Sequence, residues 1–325
     1  MTKRIVRVAL LMCDTPVPDV VAAYGIYIEI YRQWLLKALE TYPDPEVAQN
    51  TELIIDGYDV VEKGEYPPLE RLQAGNGVED GYDAVMLTGS KHSAHETTVP
   101  WISTLISFVS TLASSPTHDH LKLIGICFGH QIISIALGGK CERGANGWEL
   151  GVYGCELTDE GRKVFDQWSG VKGIGHGGDR VFLEQVHRDH VPALPPGCVL
   201  LLSTPRYPVH GYVRYKTAHD SNHNSGTNLP TSSETSSSSD SNNTSASITT
   251  SSSNSPSPPI QILTVQGHPE FTPDMVLRTI EARVKMGIFD EQLATEARRR
   301  AVGRGDGGEG FGRVGWSVWK VLLQD

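Results

Sequence analysis

The chain reads Gly125-Ile126-Cys127-Phe128-Gly129-His130-Gln131 where an apolar, strand-like run at residues 121–126 gives way to a helix-like run. A sharp strand-to-helix turn crowds its neighbours, so small residues are needed two positions to either side of its apex. The two glycines meet that need and predict a nucleophile elbow with Cys127 at the apex. The N-terminus of the following helix favours thiolate over thiol. Without those glycines, a single cysteine would more often be a small core residue.

A second motif, Gly267-His268-Pro269-Glu270-Phe271, follows an apolar run at residues 260–265. On an extended segment, residues two apart project to the same side, and proline restricts the backbone between them. We expect the Glu270 carboxylate to bind one imidazole nitrogen of His268 and the other nitrogen to face Cys127. Nucleophile, base and orienting acid are the groups needed for covalent acyl transfer. The tripeptide alone would indicate only a turn with a solvated acid.

Short apolar strands alternate with helical periodicity along much of the chain. Strands are predicted at residues 5–12, 53–55, 84–88 and 121–126, with helices at 101–112 and after the elbow. This order predicts an α/β fold with a doubly wound, mostly parallel sheet and helices on both faces. Further strands at 199–203, 211–215 and 260–265 predict a small antiparallel β segment near the second motif. Ligands bind such sheets at the carboxyl ends of strands, where Gly89 and Cys127 fall.

We predict a single domain over residues 1–325 with two irregular parts. Residues 218–259 are mainly Ser, Asn and Thr, with prolines near the end, and cannot bury enough apolar surface to order themselves. They are predicted to be a disordered insertion. Thr272 and Pro273 are typical of a helix start. Residues 303–325 are predicted to be a glycine-rich linker followed by an apolar tail that docks on the domain.

Composition excludes several classes of function. The formal net charge of −10 argues against binding to nucleic acid or to anionic membranes. The five cysteines are scattered and form no CxxC pair, which indicates a reducing, cytoplasmic location. The N-terminal apolar run ends at Met12, too early for an export signal, and no run reaches the ~18 residues of a membrane span. The histidines lack metal-binding spacings, so neither a metal nor another cofactor is predicted.

The cysteine elbow, with Gln-Gly-His-Pro-Glu-Phe far downstream, resembles the class I glutamine amidotransferase domain with a Cys-His-Glu triad. The similarity spans about residues 5–285 and is interrupted by the polar tract. It implies the flavodoxin-like fold of that family. Further motifs occur in family order: Leu87-Thr88-Gly89-Ser90, Asn146-Gly147-Trp148-Glu149-Leu150-Gly151, His187-Arg188-Asp189 and Ser203-Thr204-Pro205-Arg206-Tyr207-Pro208.

The resemblance implies a role for each matching residue. Cys127 would attack the side-chain amide of glutamine to give a γ-glutamyl thioester, and His268 would move the proton. Glu270 would hold His268. The backbone N–H groups of Gly89 and Phe128 would bind the oxyanion. Gln131 would contact the glutamine; this completes the set of site residues, which are Cys127, His268, Glu270, Gly89, Phe128 and Gln131.

No synthase or ATP-binding segment is recognisable, so the chain resembles the stand-alone branch, close to GMP-synthase-type glutaminase domains and γ-glutamyl peptidases. The first expectation is a glutaminase that releases ammonia for a separate acceptor synthase in specialised-metabolite biosynthesis. The second is a γ-glutamyl peptidase acting on glutathione-type conjugates. Ser90-Lys91-His92 stands where synthase-linked members usually have proline, which leaves the choice of acyl group open. The third is a non-catalytic sensor or scaffold in which the cysteine is only oxidised.

Overall fold

The computed structural model describes residues 3–73, 80–166, 178–216, 258–304 and 308–324. These residues form eleven strands in two sheets. The strands are β1 (Arg4–Met12), β2 (Thr51–Asp59), β3 (Ala84–Leu87), β4 (Lys122–Ile126), β5 (Glu142–Arg143), β6 (Glu149–Leu157), β7 (Arg180–His187), β8 (Asp189–His190), β9 (Val199–Ser203), β10 (Gly211–Tyr215) and β11 (Ile260–Val265).

The main sheet has nine strands in the order β2-β1-β3-β4-β11-β10-β9-β6-β7. The five strands from β2 to β11 pair in parallel, and β10, β9, β6 and β7 continue the sheet as antiparallel strands. β5 and β8 form a separate antiparallel pair. The predicted α/β class, with a mostly parallel sheet and added antiparallel strands, is therefore confirmed. The antiparallel part is larger than expected, because β6 and β7 extend it.

Helices cover both faces of this sheet. They are α1 (Pro18–Tyr24), α2 (Tyr27–Glu40), α3 (Pro45–Asn50), α4 (Leu69–Leu72), α5 (Pro100–Ser114), α6 (Phe128–Ala136), α7 (Asp159–Phe165), α8 (Pro273–Lys285), α9 (Glu291–Val302) and α10 (Gly315–Leu322), with a 3₁₀ turn at Pro116–His118 and a π-helical turn at Gly310–Val314. Side chains alternate along a strand. On β1, Val8 and Leu10 therefore enter the core beneath α2 and α10, whereas Ala9 and Leu11 enter the core beneath α5 and α6.

The C-terminal helix α10 packs against α2. The indole Nε1 of Trp319 donates a hydrogen bond to the Leu35 carbonyl at 2.8 Å, and Trp34 Nε1 donates to the Gly310 carbonyl at 3.0 Å. Both indole rings are fully buried. Large aromatic side chains with a satisfied N–H stabilise such contacts strongly. Residues 308–324 are thereby attached to the sheet through α2.

The predicted polar insertion falls almost wholly outside the described residues, and only residues 258 and 259 of it are described. At its borders, the Lys216 N–H donates to the Pro259 carbonyl at 2.8 Å, which continues the pairing of β10 with β11. Within the described ranges, no helix has the length and apolar character needed to cross a membrane.

Candidate active site

Cys127 lies at the turn between β4 and α6, at the carboxyl end of the parallel strands. Cys127 has a φ of 52° and a ψ of −103°. It is the one non-glycine residue with positive φ in the described part of the chain. A conformation this unfavourable persists only where the surroundings enforce it. Here the Cys127 N–H donates to the Val265 carbonyl at 2.9 Å, which fixes the elbow to the end of β11. The strained turn presents the thiol at the edge of the sheet.

The two flanking glycines are required by close backbone contacts. A Cβ added to Gly125 would lie 2.7 Å from the carbonyl carbon and oxygen of Gly129. A Cβ on Gly129 would lie 2.6 Å from the Leu87 Cβ and carbonyl oxygen. Real Cβ atoms do not approach other atoms so closely, so a larger residue at either position would push the turn apart. These close contacts are the steric reason for the two glycines, as the sequence pattern predicts.

His268 and Glu270 meet beside the elbow. Nδ1 of His268 lies 2.8 Å from Oε1 of Glu270, and the Tyr31 hydroxyl donates to the same oxygen at 3.4 Å. His268 also stacks on Phe271, with ring centroids 4.2 Å apart and planes 10° apart. Its backbone N–H donates to the Glu184 carbonyl at 2.8 Å. These contacts fix both the position and the plane of the imidazole.

The backbone around these two residues is not the extended segment assumed from the sequence. A bend precedes His268, His268 itself forms an isolated bridge to Glu184, and Pro269 and Glu270 lie in a turn. The Phe271 N–H reaches back to the His268 carbonyl at 3.4 Å. The contact between imidazole and carboxylate therefore comes from a turn, not from the two-residue repeat of a strand.

Charges around the imidazole keep it protonated. Burial alone would lower the pKa of His268, but this is outweighed by the neighbouring Cys127 and Glu270. The pKa of His268 is raised to about 10. Cys127, His268 and Glu270 are 5%, 4% and 0% exposed, so water screens these interactions little. The arrangement favours an imidazolium between Cys127 and a buried carboxylate.

Gly89 and Phe128 are both neighbours of Cys127. A Cβ on Gly89 would lie 3.6 Å from the Cβ of Cys127 and 2.8 Å from Cε1 of His268. Phe128 follows Cys127 as the first residue of α6, where backbone N–H groups have no partner within the helix. The role of the two residues as oxyanion donors stays a prediction.

Gln131 lies one turn into α6 and is 3% exposed. Its Nε2 donates to the Asp189 carbonyl at 2.9 Å and to Gln266 Oε1 at 3.1 Å. Together with Cys127 and His268 it lines a cavity of about 280 Å³. The structure therefore brings all six sequence-predicted site residues to one region, with Gly89 and Phe128 beside the thiol and Gln131 in the cavity wall.

The cavity wall carries more positive than negative side chains, although the whole chain is acidic. Lys91, Arg143, Arg188 and Arg283 line it with only two carboxylates, those of Asp14 and Asp189. Lys91 pairs with Asp14, and Arg143 approaches Asp189 at 3.7 Å. Arg188 lies over the Trp148 ring at 5.2 Å. The surplus of positive charge suits a ligand with more than one carboxylate.

A second grouping of cysteine, histidine and glutamate lies in the interior. Cys155 Sγ is 3.8 Å from His210 Nδ1, and His210 Nε2 is 3.0 Å from Glu149 Oε2. Burial raises the pKa of the Cys155 thiol well above its ordinary value. Its side chain is fully buried and does not line the cavity. Cys155 therefore lacks the thiolate character and access of a nucleophile.

Glu149, His187 and His210 are the one group of side chains in the described ranges whose ligand atoms converge as in a metal site, all within 4.8 Å of one another. The sequence predicts these histidines only as solvated or hydrogen-bonded groups, because their spacing matches no metal motif. The structure buries both and joins them to Glu149. The Glu149 carboxylate also accepts a hydrogen bond from Thr204 at 2.8 Å. Strand pairing between distant segments creates this cluster, and no local pattern signals it.

Glu184 is a second group that the sequence does not single out. It is fully buried on β7, and neither carboxylate oxygen has a hydrogen-bond partner among the described residues. Burial raises the pKa of Glu184 to about 8, although the nearby His268 opposes this. A neutral acid therefore lies next to the imidazole at physiological pH.

Comparison with known proteins agrees with the resemblance found in the sequence. The chain is 28% identical over 296 residues to a protein of Schizosaccharomyces pombe named as glutamine amidotransferase-like, covering 91% of each chain. It is 23% identical over 296 residues to γ-glutamyl peptidase 5 of Arabidopsis thaliana, covering 90% of this chain and 86% of that one. No protein-family model matches the chain. The expected resemblance to glutamine amidotransferase-like proteins and γ-glutamyl peptidases is confirmed.

The fold is shared with a solved structure. A glutamine amidotransferase from Thermotoga maritima superposes with a TM-score of 0.54 at 19% identity, covering 98% of this chain and 99% of that one. At this identity the match concerns the fold. It agrees with the architecture predicted from the alternating strands and helices.

Proposed function

We propose that this relative of the glutamine amidotransferase-like proteins and γ-glutamyl peptidases is a thiol hydrolase that cleaves γ-glutamyl amides through Cys127. One observation carries the proposal. Cys127 lies at a strained elbow beside His268, and both line one cavity. The His268 Nδ1 lies 2.8 Å from Glu270 Oε1. Such an arrangement has the groups that covalent acyl transfer needs.

In the first half-reaction, Cys127 Sγ attacks the γ-carbonyl carbon of the substrate and the negative charge moves to its oxygen. The backbone N–H groups of Gly89 and Phe128 stabilise that oxyanion, a type of contact worth about 3–4 kcal/mol. As the C–N bond breaks, the His268 imidazolium gives its proton to the leaving nitrogen. The products are a γ-glutamyl thioester and a free amine or ammonia.

In the second half-reaction, neutral His268 takes a proton from water, and the resulting hydroxide attacks the thioester. Glutamate leaves and the Cys127 thiolate is restored, with the proton back on His268. Glu270 keeps the imidazole oriented and stabilises its positive charge in both halves. Two easier steps thus replace one difficult amide hydrolysis.

Two classes of γ-glutamyl amide remain candidates. Glutamine would release ammonia for a separate acceptor synthase, and a role in specialised-metabolite biosynthesis belongs to this version. A γ-glutamyl peptide would release an amino-terminal cysteinyl product. Lys91 and Arg143 are paired with carboxylates, whereas Arg188 and Arg283 add further positive charge to the cavity wall. This surplus of positive charge supports the peptide as substrate, because the peptide carries a further carboxylate.

Free cysteines at all five positions support a reducing compartment such as the cytoplasm.

Incubation of the purified protein with glutamine, and separately with glutathione, tests the proposal. Ammonia release supports the glutaminase, and cysteinylglycine release supports the peptidase. Cys127→Ala is expected to lower kcat at least about 1,000-fold, as for other covalent nucleophiles. Cys198→Ala, a half-buried cysteine outside the site, serves as the control.

Mass spectrometry of the acid-quenched reaction should detect the γ-glutamyl adduct on Cys127. If neither substrate is cleaved and no adduct forms, the hydrolase proposal fails. The remaining expectation is then a sensor or scaffold, whose cellular role survives Cys127→Ala.

A further inference from the structure

We infer that Glu149 is a positioning residue that, through His187, holds the Asp189 carbonyl and with it the Gln131 side chain in the cavity wall. Part of this inference, the effect on substrate binding, rests on the proposed function. The hydrogen-bond relay itself is a property of the folded chain. None of its first three members touches Cys127, His268 or Glu270 in the hydrogen bonds described above.

The relay begins at the buried carboxylate of Glu149, the first residue of β6. Its Oε2 lies 3.1 Å from His187 Nε2 and 3.0 Å from His210 Nε2, and its Oε1 accepts from the Thr204 hydroxyl at 2.8 Å. The Thr204 hydroxyl therefore donates to this carboxylate, and both imidazoles lie within hydrogen-bond distance of it.

The two ring nitrogens of His187 connect Glu149 to the backbone of Asp189. The His187 Nδ1 lies 3.0 Å from the Asp189 carbonyl oxygen, which can only accept, so Nδ1 donates to it. The His187 Nε2 lies 3.1 Å from Glu149 Oε2, and a proton shared by this pair makes the second hydrogen bond. The ring is thereby held at both nitrogens.

The Asp189 carbonyl connects this pair to the cavity. It accepts from His187 Nδ1 at 3.0 Å and from Gln131 Nε2 at 2.9 Å. Gln131 Nε2 has a second proton, which goes to Gln266 Oε1 at 3.1 Å. Both amide protons of Gln131 are therefore committed, which leaves its Oε1 as the atom available to a ligand.

Removal of Glu149 takes away the partner of His187 Nε2, so the His187 ring loses its fixed orientation. The Asp189 carbonyl then loses one of its two donors, and Gln131 can rotate with it. Because buried networks of this kind lose several contacts together, the effect reaches the cavity wall. Cys127, His268 and Glu270 keep their own contacts. Substrate binding is therefore affected more than the chemical step.

Two substitutions of Glu149 separate the effect of its hydrogen bonds from the effect of its charge. Glu149→Ala is expected to raise KM at least about tenfold with kcat within about threefold of the wild type. Glu149→Gln should stay within about threefold in both constants, because its carbonyl can accept from Thr204 and its amide can donate to the Nε2 atoms of the two histidines. Glu160→Ala is the control: it removes another carboxylate that binds a tyrosine and a lysine side chain, away from the site.

Nuclear magnetic resonance gives a readout that needs no activity. The side-chain amide signals of Gln131 should move in Glu149→Ala but not in Glu160→Ala. If these signals respond while no γ-glutamyl amide is cleaved, the proposed function fails and the relay stands.

Three results would overturn the relay. One is a Gln131 amide signal that does not change in Glu149→Ala. Another is a KM for Glu149→Gln that is as high as the KM for Glu149→Ala. The third is a stoichiometric metal ion in the purified protein, bound by Glu149, His187 and His210, because the metal would then hold the His187 ring instead of the hydrogen bond to Glu149.

Discussion

Gly89 faces the edge of the His268 ring so closely that a methyl group on Gly89 would lie 2.8 Å from Cε1. The same methyl group would lie 3.6 Å from Cys127 Cβ. Gly89, just after β3, has no side chain, and this leaves the space in which the imidazole and the thiol meet. The absence of a side chain at this position shapes the site as much as the reactive groups do.

Gly89→Ala is therefore expected to displace the imidazole and lower kcat. Displacements near 1 Å cost roughly 100-fold in rate. Steady-state kinetics on the cleaved γ-glutamyl substrate would measure the loss, with the melting temperature as the control for folding. An unchanged kcat in a folded variant would show that the ring and the added methyl group do not compete for space.

The imidazole of His268 should titrate with a pKa of about 10, because Cys127 and Glu270 favour its charged form. A raised pKa of a base means that the imidazolium persists through neutral pH. In Cys127→Ala one of these two partners is gone, so the pKa of His268 should fall toward neutrality. Titration of the ring by nuclear magnetic resonance would measure both values, and equal values in the two proteins would contradict the pairing.

Glu184→Gln should change how stability depends on pH. The folded-state pKa of Glu184 is about 8, above the ordinary value of 4.5. Between these pH values the unfolded chain ionises the group while the folded chain keeps its proton, so the wild type loses stability as pH rises to about 8. The variant has no such group, and its advantage in free energy of unfolding should grow by roughly 2–4 kcal/mol over that window.

Urea unfolding at pH 4.5, 6 and 8 would measure this difference. Glu52→Gln, an exposed glutamate on β2, is the matched control and should show little change with pH. A constant difference between Glu184→Gln and the wild type across the three conditions would mean that Glu184 is ionised throughout.

Trp319→Ala should destabilise the chain by about 3–5 kcal/mol, the range for deleting a large buried aromatic side chain. The indole is fully buried and its Nε1 bonds to the Leu35 carbonyl. Leu69→Ala, 63% exposed, is the control and should cost far less. Denaturant unfolding of both variants gives the comparison. Similar losses in the two would indicate that α10 contributes little to the stability of the sheet.

The elbow could be predicted from the sequence because its requirements are local. Glycines must flank Cys127 at fixed spacing, and an apolar strand must precede it. The pairing of His268 with Glu270 was also predictable, but the reasoning about an extended segment was wrong. A turn at Pro269 brings the two side chains together.

The strands β6 and β7 escaped prediction for a different reason. Glu149, Glu184 and His187 interrupt the apolar pattern that marks a buried strand, yet all three are buried. Contacts from other strands compensate the burial of Glu149, and a raised pKa accommodates that of Glu184. Such compensation depends on partners distant in sequence, which periodicity does not reveal.

The hydrogen bond between Lys216 and Pro259 has a consequence for protein engineering. It joins the chain on either side of residues 217–257 at a single point on the sheet, so the geometry there does not depend on how many residues lie between. The cost of closing a loop grows only slowly with its length. Asn-Gly in place of residues 217–258 would connect Lys216 to Pro259 as a two-residue hairpin and give a compact version suited to crystallisation.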